Sequence, residues 1–471
     1  MTRRIDADYE TQWLFPPSLE DLVPVDHPAR FIRAFVESLD LESLGFRVEP
    51  SATGRPGYAP GLLLKICMYS FLNRIRSLRE MEKACRAHLS LLWLTGGHQP
   101  DHNALWRFWR DHREALRAVS QEVVKVAWRS ELVGVVLHAV DGTKLRAAGS
   151  TAKVVGPEQI ERLLRQAEVS FGQMDGELTA SAQEDLFGGY RLPEELTDRD
   201  RLRERIERAR EADGQSRPRH PGEPEAALMR CEGGRVELAY NAQAVVDADS
   251  GLVVAHEVTT EASDNHQLVP RLDQVREELG RVADDTVADG GYASGRGLAE
   301  AEAKQFSVTV RLPEEVQKRD DHPYGAAHFS YDRQCDVCVC PRGEELSFTR
   351  ERIKPDRGYA VREYRCGSFR SCPVRQLCSK DRQGRRIEIA PHHEALVRQR
   401  ERQNDPAGRQ RLARRKVIVE PVFARAKHLL GYRRLTRWGL EGARTEWALI
   451  CAVLNLQKLL ANWRRGQLAL S

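Results

Sequence analysis

The feature that most constrains the fold is a change in hydrophobic periodicity near Gly134. Before this point apolar residues recur at helical spacing, as in Leu62, Ile66 and Tyr69. After it, β-branched and apolar residues form short runs, GVVLHAVDGTKL and RVELAYNAQAVVDADSGLVVAHEVTT, which are separated by segments of helical pattern. The sequence therefore predicts an all-α amino-terminal domain followed by a mixed α/β core.

Composition divides the chain further. We expect a helical DNA-binding or assembly domain at 1–130, the first part of the core at 131–312 with a charged helical insertion at about 151–235, a cysteine-rich insertion at 313–392, and carboxy-terminal core helices with a basic face at 393–471. Every apolar run is far shorter than the roughly 18 residues of a membrane span. The amino terminus has no apolar signal segment. We therefore expect a cytoplasmic protein with reduced thiols.

Six of the ten cysteines lie within 44 consecutive positions. In a reducing compartment such a cluster indicates a metal site before it indicates disulfides. Two interpretations remain open, a structural Zn²⁺ held by four thiolates, which would not be catalytic, or free thiols in a surface loop. The six candidates are Cys335, Cys338, Cys340, Cys366, Cys372 and Cys378.

Positive charge is concentrated near the carboxy terminus. The whole chain has a formal charge of +4, but residues 398–465 contain 17 Lys and Arg against 5 Asp and Glu, a local +12 that leaves 4 − 12 = −8 elsewhere. The segment is either a solvated helix face or a surface for a polyanion, and its density favours the polyanion. The candidate phosphate-binding residues are Arg411, Arg414, Arg415, Lys416, Arg425, Lys427, Arg433, Arg434 and Arg437.

Two acids follow apolar strands. Asp141 and Asp289 each close a predicted strand, and a glycine follows each of them. Carboxylates that converge from strand ends can hold the two metal ions that activate a phosphodiester for cleavage or joining. An Asp before Gly is also an ordinary turn residue, so both interpretations stay open at this point.

The third candidate acid, Glu420, is the only acid between Asp405 and Glu441. Lys416 and Lys427, four residues before it and seven after, fall near the same helical face. Pro421 follows directly, which predicts a kink or a helix start at Glu420. We expect the other acids near these motifs to be turn or surface residues, namely Asp247, Asp249, Asp264, Asp284 and Asp285.

Four motifs in order around these acids resemble the DDE transposases of bacterial insertion sequences, most closely the group numbered eleven-eighty-two. They are HisAlaValAspGlyThrLys around Asp141, TyrAsnAlaGlnAlaValValAsp from Tyr240, AlaAspGlyGlyTyr around Asp289, and ArgArgLysValIleValGluProValPheAlaArgAlaLys around Glu420. RSLREME and PDHNALWRFWRDH resemble the entry domain of the same group. The resemblance covers most of the chain.

The resemblance implies a ribonuclease H-like core whose Asp141, Asp289 and Glu420 bind two Mg²⁺ ions, with Mn²⁺ as an alternative. It implies hydrolysis at the element's ends, then attack of the freed 3′-hydroxyl on target DNA without a covalent protein intermediate or ATP. Lys427 keeps the family's spacing to Glu420, whereas Lys416 and Ala413 stand where Arg and Tyr are usual. The cysteines that match the family's insertion are Cys340, Cys366, Cys372 and Cys378, while Phe369 replaces a fifth.

The implied partners are double-stranded DNA, both terminal inverted repeats and target, and further copies of the chain in a homodimer or larger synaptic complex. The protein would stay in the cytoplasm, associate with the nucleoid when bound to DNA, and contact no membrane. Two other functions remain open, a non-catalytic zinc-containing DNA-binding protein and a metal-dependent nuclease without strand transfer.

Overall fold

The computed structural model describes residues 18–49, 56–156, 218–220, 222–312, 322–354 and 359–468. The chain divides into two compact units. One contains Met1–Val123 and Ala448–Ser471, and the other contains Val124–Trp447. The charged helix expected within the insertion at 151–235 falls on positions outside the described residues.

The amino-terminal part is helical from residue 28 onward. Its helices are α1 (Pro28–Glu37), α2 (Pro60–Leu72), α3 (Leu78–Ala87), α4 (Leu89–Thr95), α5 (His102–Asp111) and α6 (Arg113–Arg129). Ser77 and Glu80 form a capping box at the start of α3. Asp101 caps α5, because its carboxylate accepts from the Ala104 amide at 2.7 Å.

The aromatic face of α5 is part of the hydrophobic core. Leu105, Phe108 and Trp109 are buried, and Trp109 stacks on Phe71 with ring centroids 5.9 Å apart. On the other side of the helix, Arg110 pairs with the neighbouring Asp111. The aromatic face therefore packs inside the protein and is not exposed for recognition.

A six-stranded mixed sheet forms the centre of the second unit. Its strands are β1 (Leu137–Arg146), β2 (Ala227–Arg230), β3 (Val236–Asp247), β4 (Val253–Thr259), β5 (Asp285–Ala288) and β6 (Val308–Val310). Their order is β2–β3–β1–β5–β6, and β4 also pairs with β3. β3 is antiparallel to β1, whereas β5 and β6 run parallel to it. The predicted mixed α/β core is confirmed.

Helices pack against this sheet. They are α7 (Leu268–Leu279), α8 (Gly295–Ala303), α10 (His393–Asn404), α11 (Pro406–Ala424) and α12 (Gly439–Arg464), and α12 contributes residues to both units. α11 packs against β1, β3, β5 and β6. Within the described residues, no helix has both the length and the apolar character needed to cross a membrane.

The cysteine-rich insertion contains a second sheet. It is antiparallel, in the order β11–β10–β9–β8–β7. The elements are β7 (Ser330–Asp332), β8 (Val337–Val339), β9 (Glu345–Lys354), β10 (Tyr359–Cys366), the short helix α9 (Arg375–Cys378) and β11 (Arg386–Ile389). Its small core is built on Cys338, Leu346 and Tyr364, all fully buried.

The buried Glu223 links three separate segments of the second unit. Its carboxylate accepts from the Gly149 amide at 2.7 Å, from the Tyr240 hydroxyl at 3.1 Å and from the Gly439 amide at 3.1 Å. These partners lie after β1, on β3 and at the start of α12. A buried carboxylate is tolerated only when it is hydrogen-bonded in this way.

We expect Glu223→Ala to lower the free energy of unfolding by about 3 kcal/mol, because hydrogen bonds to a charged group are lost and their donors stay buried. Urea unfolding of the full chain measures the change. The matched control is Glu277→Ala, at an exposed position, which should leave stability within about 0.5 kcal/mol of the wild type. Equal stability of the two variants would contradict the structural role of Glu223.

Candidate active site

Asp141 lies within β1 and not at its end. The strand continues to Arg146, and Asp141 pairs with Ala244 of β3. The predicted turn after Asp141 is therefore wrong, and Gly142 explains why. A Cβ on Gly142 would come within 2.3 Å of the Gln243 amide nitrogen, so this glycine permits a close side-chain approach and does not form a turn.

Asp289 directly follows β5, as predicted. Its carboxylate accepts from the Gly291 amide at 2.8 Å and caps the short 3₁₀ helix Gly290–Tyr292. β1 and β5 are parallel, and Ala139 is paired with Val287. Asp141 comes two residues after Ala139, and Asp289 comes two residues after Val287. The two aspartates are therefore next to each other.

The environment of Asp141 penalises its negative charge. Burial raises the pKa of the Asp141 carboxyl to about 6, and Asp289 pushes this pKa in the same direction. Arg415 of α11 opposes the rise, since its guanidinium lies 2.7 Å from the Asp141 carboxylate. Asp141 and Asp289 thus form a carboxylate pair whose charge is only partly compensated.

A third acid, Asp264, completes this group. Asp264, Asp141 and Asp289 all raise the pKa of the buried Tyr292 hydroxyl, although burial is the larger cause. The Asp264 carboxylate accepts from the side-chain amides of Asn241 and Gln243, each at 2.6 Å. The Asp264 backbone carbonyl begins a turn by accepting from the Gln267 amide, as predicted, but its carboxylate is an internal hydrogen-bond acceptor and does not face solvent alone.

The sequence contained a signal for Asp264. Asn241 and Gln243 are polar residues at alternate positions of an otherwise apolar strand, so both point to one face. Both are completely buried. Buried amides need hydrogen-bond partners, and this requirement pointed to a nearby acceptor that the strand itself does not provide.

Glu420 lies inside α11, and the helix is not interrupted there. Pro421 is an internal helix residue, and a π-helical turn, Arg425–Leu429, follows the helix. The alternative of a helix start at Glu420 is therefore wrong. Pro421 has no amide hydrogen to donate to the Val417 carbonyl. Val417 is 77% exposed, so water can donate to that carbonyl instead.

The Glu420 side chain is exposed. Its neighbours Ile418, Val419 and Val422 are buried against the sheet. Within the part of the chain that the structure describes, the Glu420 carboxylate has no hydrogen-bond or ion-pair partner. It is thus available for an external group.

The paired carboxylates have the chemistry of a divalent metal site. Mg²⁺ is bound in proteins mainly through carboxylate oxygens, and Asp141 and Asp289 offer such oxygens side by side. The raised pKa of Asp141 reflects negative charge that a cation would stabilise. In the described ranges, no three His, Cys, Asp or Glu side chains are assembled closely enough to hold a metal as they stand.

Comparison with protein families agrees with this geometry. Residues 339–460 match the family described as Transposase DDE domain, and residues 17–111 match Transposase domain (DUF772). The chain belongs to the DDE transposases of insertion sequences. A comparison with curated proteins found no match.

The family membership explains the core. DDE transposase domains have a ribonuclease H-like fold, which agrees with the mixed sheet and its flanking helices, and they generally use divalent metal ions. DNA is the partner that the family implies. The first matched region contains Glu420, Lys427 and the part of the cysteine-rich insertion from residue 339 onward, whereas Asp141 and Asp289 lie outside both matched regions.

Lys427 lies in the π-helical turn of the transposase and faces away from bulk solvent. Its ammonium is 3.7 Å from the carboxylate of Glu232, and its side chain is 11% exposed. Burial lowers the pKa of Lys427, and Glu232 partly opposes this effect. The structure therefore pairs Lys427 with the segment before β3.

The predicted phosphate-binding residues fall into two groups. In the first group, Arg411 pairs with Asp285 at 2.6 Å, Arg415 pairs with Asp141, and Lys427 pairs with Glu232. Arg434 donates to the backbone carbonyls of Ala147, Ala148 and Gly149, and Arg437 is buried. The others are exposed: Arg414, Lys416, Arg425 and Arg433. Exposure makes the second group the better candidates for contact with DNA phosphates.

The remaining acids near the motifs also divide. Asp249 and Asp284 are exposed, as predicted. Asp247 is buried but belongs to a turn, as predicted, whereas Asp285 is buried at the start of β5, so its prediction as a turn or surface residue is wrong. Asp247 accepts a hydrogen bond from Ser250 and stabilises the turn between β3 and β4. Asp285 forms an ion pair with Arg411.

The six clustered cysteines occupy different environments. Cys338 is fully buried in the apolar core of the second sheet, and burial raises the pKa of its thiol to about 12. Cys335 is exposed in the turn between β7 and β8. The other four are half-buried, and Cys340, Cys366 and Cys372 each raise the pKa of the Cys378 thiol, although burial is the larger cause. These four thiols are therefore near one another.

We expect Arg415→Gln to raise the pKa of Asp141 above about 6 in the metal-free transposase, because the opposing positive charge is removed. The unfolded value is 3.8, so this carboxyl makes the fold less stable as pH rises from 3.8 to its folded pKa. The variant should extend that loss to higher pH.

Thermal unfolding in the presence of a chelator, from about pH 4 to about pH 8, measures this effect. The exposed neighbour Arg414 provides the matched control, since Arg414→Gln removes the same charge away from Asp141. Identical pH profiles for the two variants would show that Arg415 does not control the Asp141 charge.

Proposed function

We propose that this transposase binds the ends of its insertion sequence, cleaves them by metal-dependent hydrolysis, and joins the 3′-hydroxyl ends to target DNA by transesterification. The observation that carries the proposal is the parallel register of β1 and β5, which brings the half-buried Asp141 and Asp289 next to each other. The transposase match supports DNA as the substrate, and the assignment of Asp141 and Asp289 to its cleavage is part of the proposal.

The metal site of the proposal consists of Asp141, Asp289 and Glu420. Two Mg²⁺ ions, or Mn²⁺, when bound there, supply charge neutralisation for the attacking and leaving oxygens of an in-line displacement. Arg415 pairs with Asp141 in the metal-free protein. Glu420, which is exposed on α11, would be the third ligand beside the two aspartates.

DNA binding involves the exposed cations near the site. Arg414 and Lys416 on α11, together with Arg425 and Arg433 beyond it, contact phosphates and raise affinity without reading sequence. Lys427, seven residues after Glu420, approaches the same DNA strand once it is released from Glu232. Arg411, Arg434 and Arg437 support this surface from behind through their internal contacts.

The proposal includes a structural Zn²⁺ in the cysteine-rich insertion. The ligands are Cys340, Cys366, Cys372 and Cys378, and the first three each raise the pKa of the Cys378 thiol, although burial is the larger cause. Cys338 belongs to the apolar core and Cys335 to an exposed turn, so neither is a ligand. Phe369 is a buried apolar residue.

The assembly and setting follow from the reaction. Two DNA ends have to be brought together, so the transposase acts as a homodimer or a larger synaptic complex. It acts on nucleoid DNA in the cytoplasm. The four motifs in their order support membership of the group numbered eleven-eighty-two.

Asp141→Ala, Asp289→Ala and Glu420→Ala should each lower Mg²⁺-dependent cleavage by roughly 10³-fold or more, since charge neutralisation at the reacting oxygens is lost. DNA affinity should change little. The measurement is cleavage and joining on a duplex that carries the gene's own flanking ends. Asp284→Ala, which removes an exposed acid near β5, is the matched control and should cleave normally.

Each outcome of this assay has a distinct meaning. Cleavage without joining would show a nuclease, and binding without cleavage would show a non-catalytic DNA-binding protein. Normal cleavage by one of the three alanine variants would remove that residue from the site.

Purified transposase should contain about one Zn²⁺ per chain, because four thiolates close the coordination shell. Cys366→Ser and Cys372→Ser should lose the metal, and the midpoint temperature of unfolding should fall. Cys335→Ser is the control and should keep its zinc. Elemental analysis with thermal unfolding checks this, and zinc-free wild-type protein with normal stability would refute the site.

A further inference from the structure

A buried polar network lies behind both aspartate motifs. Asn241 and Gln243 of β3 are completely buried, and their amide nitrogens both donate to the same Asp264 oxygen at 2.6 Å. The amide of Gln243 also donates to the Asn241 side-chain oxygen at 3.0 Å. Polar networks that are satisfied in this way are rigid and specify one arrangement.

The network contacts the backbone at both motifs. A Cβ on Gly142, the residue after Asp141, would lie 2.8 Å from one Asp264 oxygen. A Cβ on Gly291, two residues after Asp289, would lie 3.4 Å from the other Asp264 oxygen and 3.0 Å from the Asp289 carboxylate. The two motif glycines therefore admit a single carboxylate between the two backbone segments that carry the paired aspartates.

Further contacts fix the network in place. The Tyr292 hydroxyl donates to the side-chain oxygen of Gln243, which ties the segment after Asp289 to β3. The Trp447 indole donates to the Gln243 carbonyl at 3.0 Å. Lys144, which is on β1 and faces Asn241 across the sheet, is 3.5 Å from Asp264. β1, β3 and the Asp289 segment thus share one anchor.

We infer that Asp264 is a positioning residue for the Asp141–Asp289 metal site. It acts through the amides of Asn241 and Gln243 and through the close glycine backbones, and it fixes the spacing of the two aspartates. The inference depends on the proposed function in that these aspartates bind the catalytic metal. One Asp264 oxygen receives both amides and the lysine, so its main role is that of an acceptor.

This role predicts a difference between two substitutions. Asp264→Ala removes the acceptor, and we expect it to weaken Mn²⁺ binding and to lower cleavage by about 10- to 100-fold, the usual effect of losing a residue that orients metal ligands. Asp264→Asn keeps a carbonyl oxygen that can accept from both amides. We expect it to retain most of the metal affinity and activity.

The primary measurement is Mn²⁺ binding to the DNA-free full chain by electron paramagnetic resonance, with DNA cleavage as the second. Thermal unfolding without metal reports on folding. Asp284→Ala is the control, since it removes an exposed acid that directly precedes β5. If Asp264→Ala does not fold, Gln243→Met removes the amide link at similar volume, and the same loss of Mn²⁺ affinity is expected.

The outcomes distinguish a failure of the proposed function from a failure of the positioning role of Asp264. If the wild type binds Mn²⁺ but does not cleave, the proposed function fails, while the Asp264 variants still test positioning. Wild-type Mn²⁺ affinity in Asp264→Ala, or in its Gln243→Met substitute, would overturn the inference. Equal loss of affinity in Asp264→Asn and Asp264→Ala would also overturn it, because a negatively charged metal ligand would then be required.

Discussion

The structure of the site depends on how the protein tolerates three carboxylates near one another in a poorly solvated place. The parallel pairing of β1 and β5 puts Asp141 beside Asp289, and Asp264 stands behind both. Burial raises the pKa of Asp141, and the neighbouring charge of Asp289 adds to the effect. The protein compensates with the Arg415 guanidinium in front and neutral amides behind.

Ion pairs that compensate the charge of buried and half-buried aspartates also attach α11 to the sheet. Arg411 and Arg415 are four residues apart and therefore share a helix face, and they bind Asp285 and Asp141 on adjacent parallel strands. Glu420 comes five residues after Arg415, which at about 100° per residue places it roughly 140° away around the helix axis. This explains why Glu420 is exposed while Arg415 holds Asp141.

Local sequence predicted the elements whose causes are local. The strand that precedes Asp289 and the turn stabilised by Asp247 both follow from neighbouring residues. The Asp-Gly pair at Asp141 was misread because a turn signal and a close-approach glycine look the same in sequence. Only the position of Gln243, on the strand paired with β1, distinguishes them.

In the basic carboxy-terminal segment, the role of each charged residue likewise depends on residues far away in the sequence. A local excess of +12 predicts a phosphate-binding surface, but part of it neutralises acids elsewhere in the chain, whose sum outside this segment is −8. Arg415 meets Asp141 across 274 positions of sequence, and Arg434 donates to carbonyls 285 to 287 positions away. Charge counted along a sequence cannot separate cations that stabilise the fold from those that face DNA. Burial and internal contacts together separate them: Arg434 is exposed but bound to backbone carbonyls, whereas Arg414, Lys416, Arg425 and Arg433 are the other exposed cations of the predicted set.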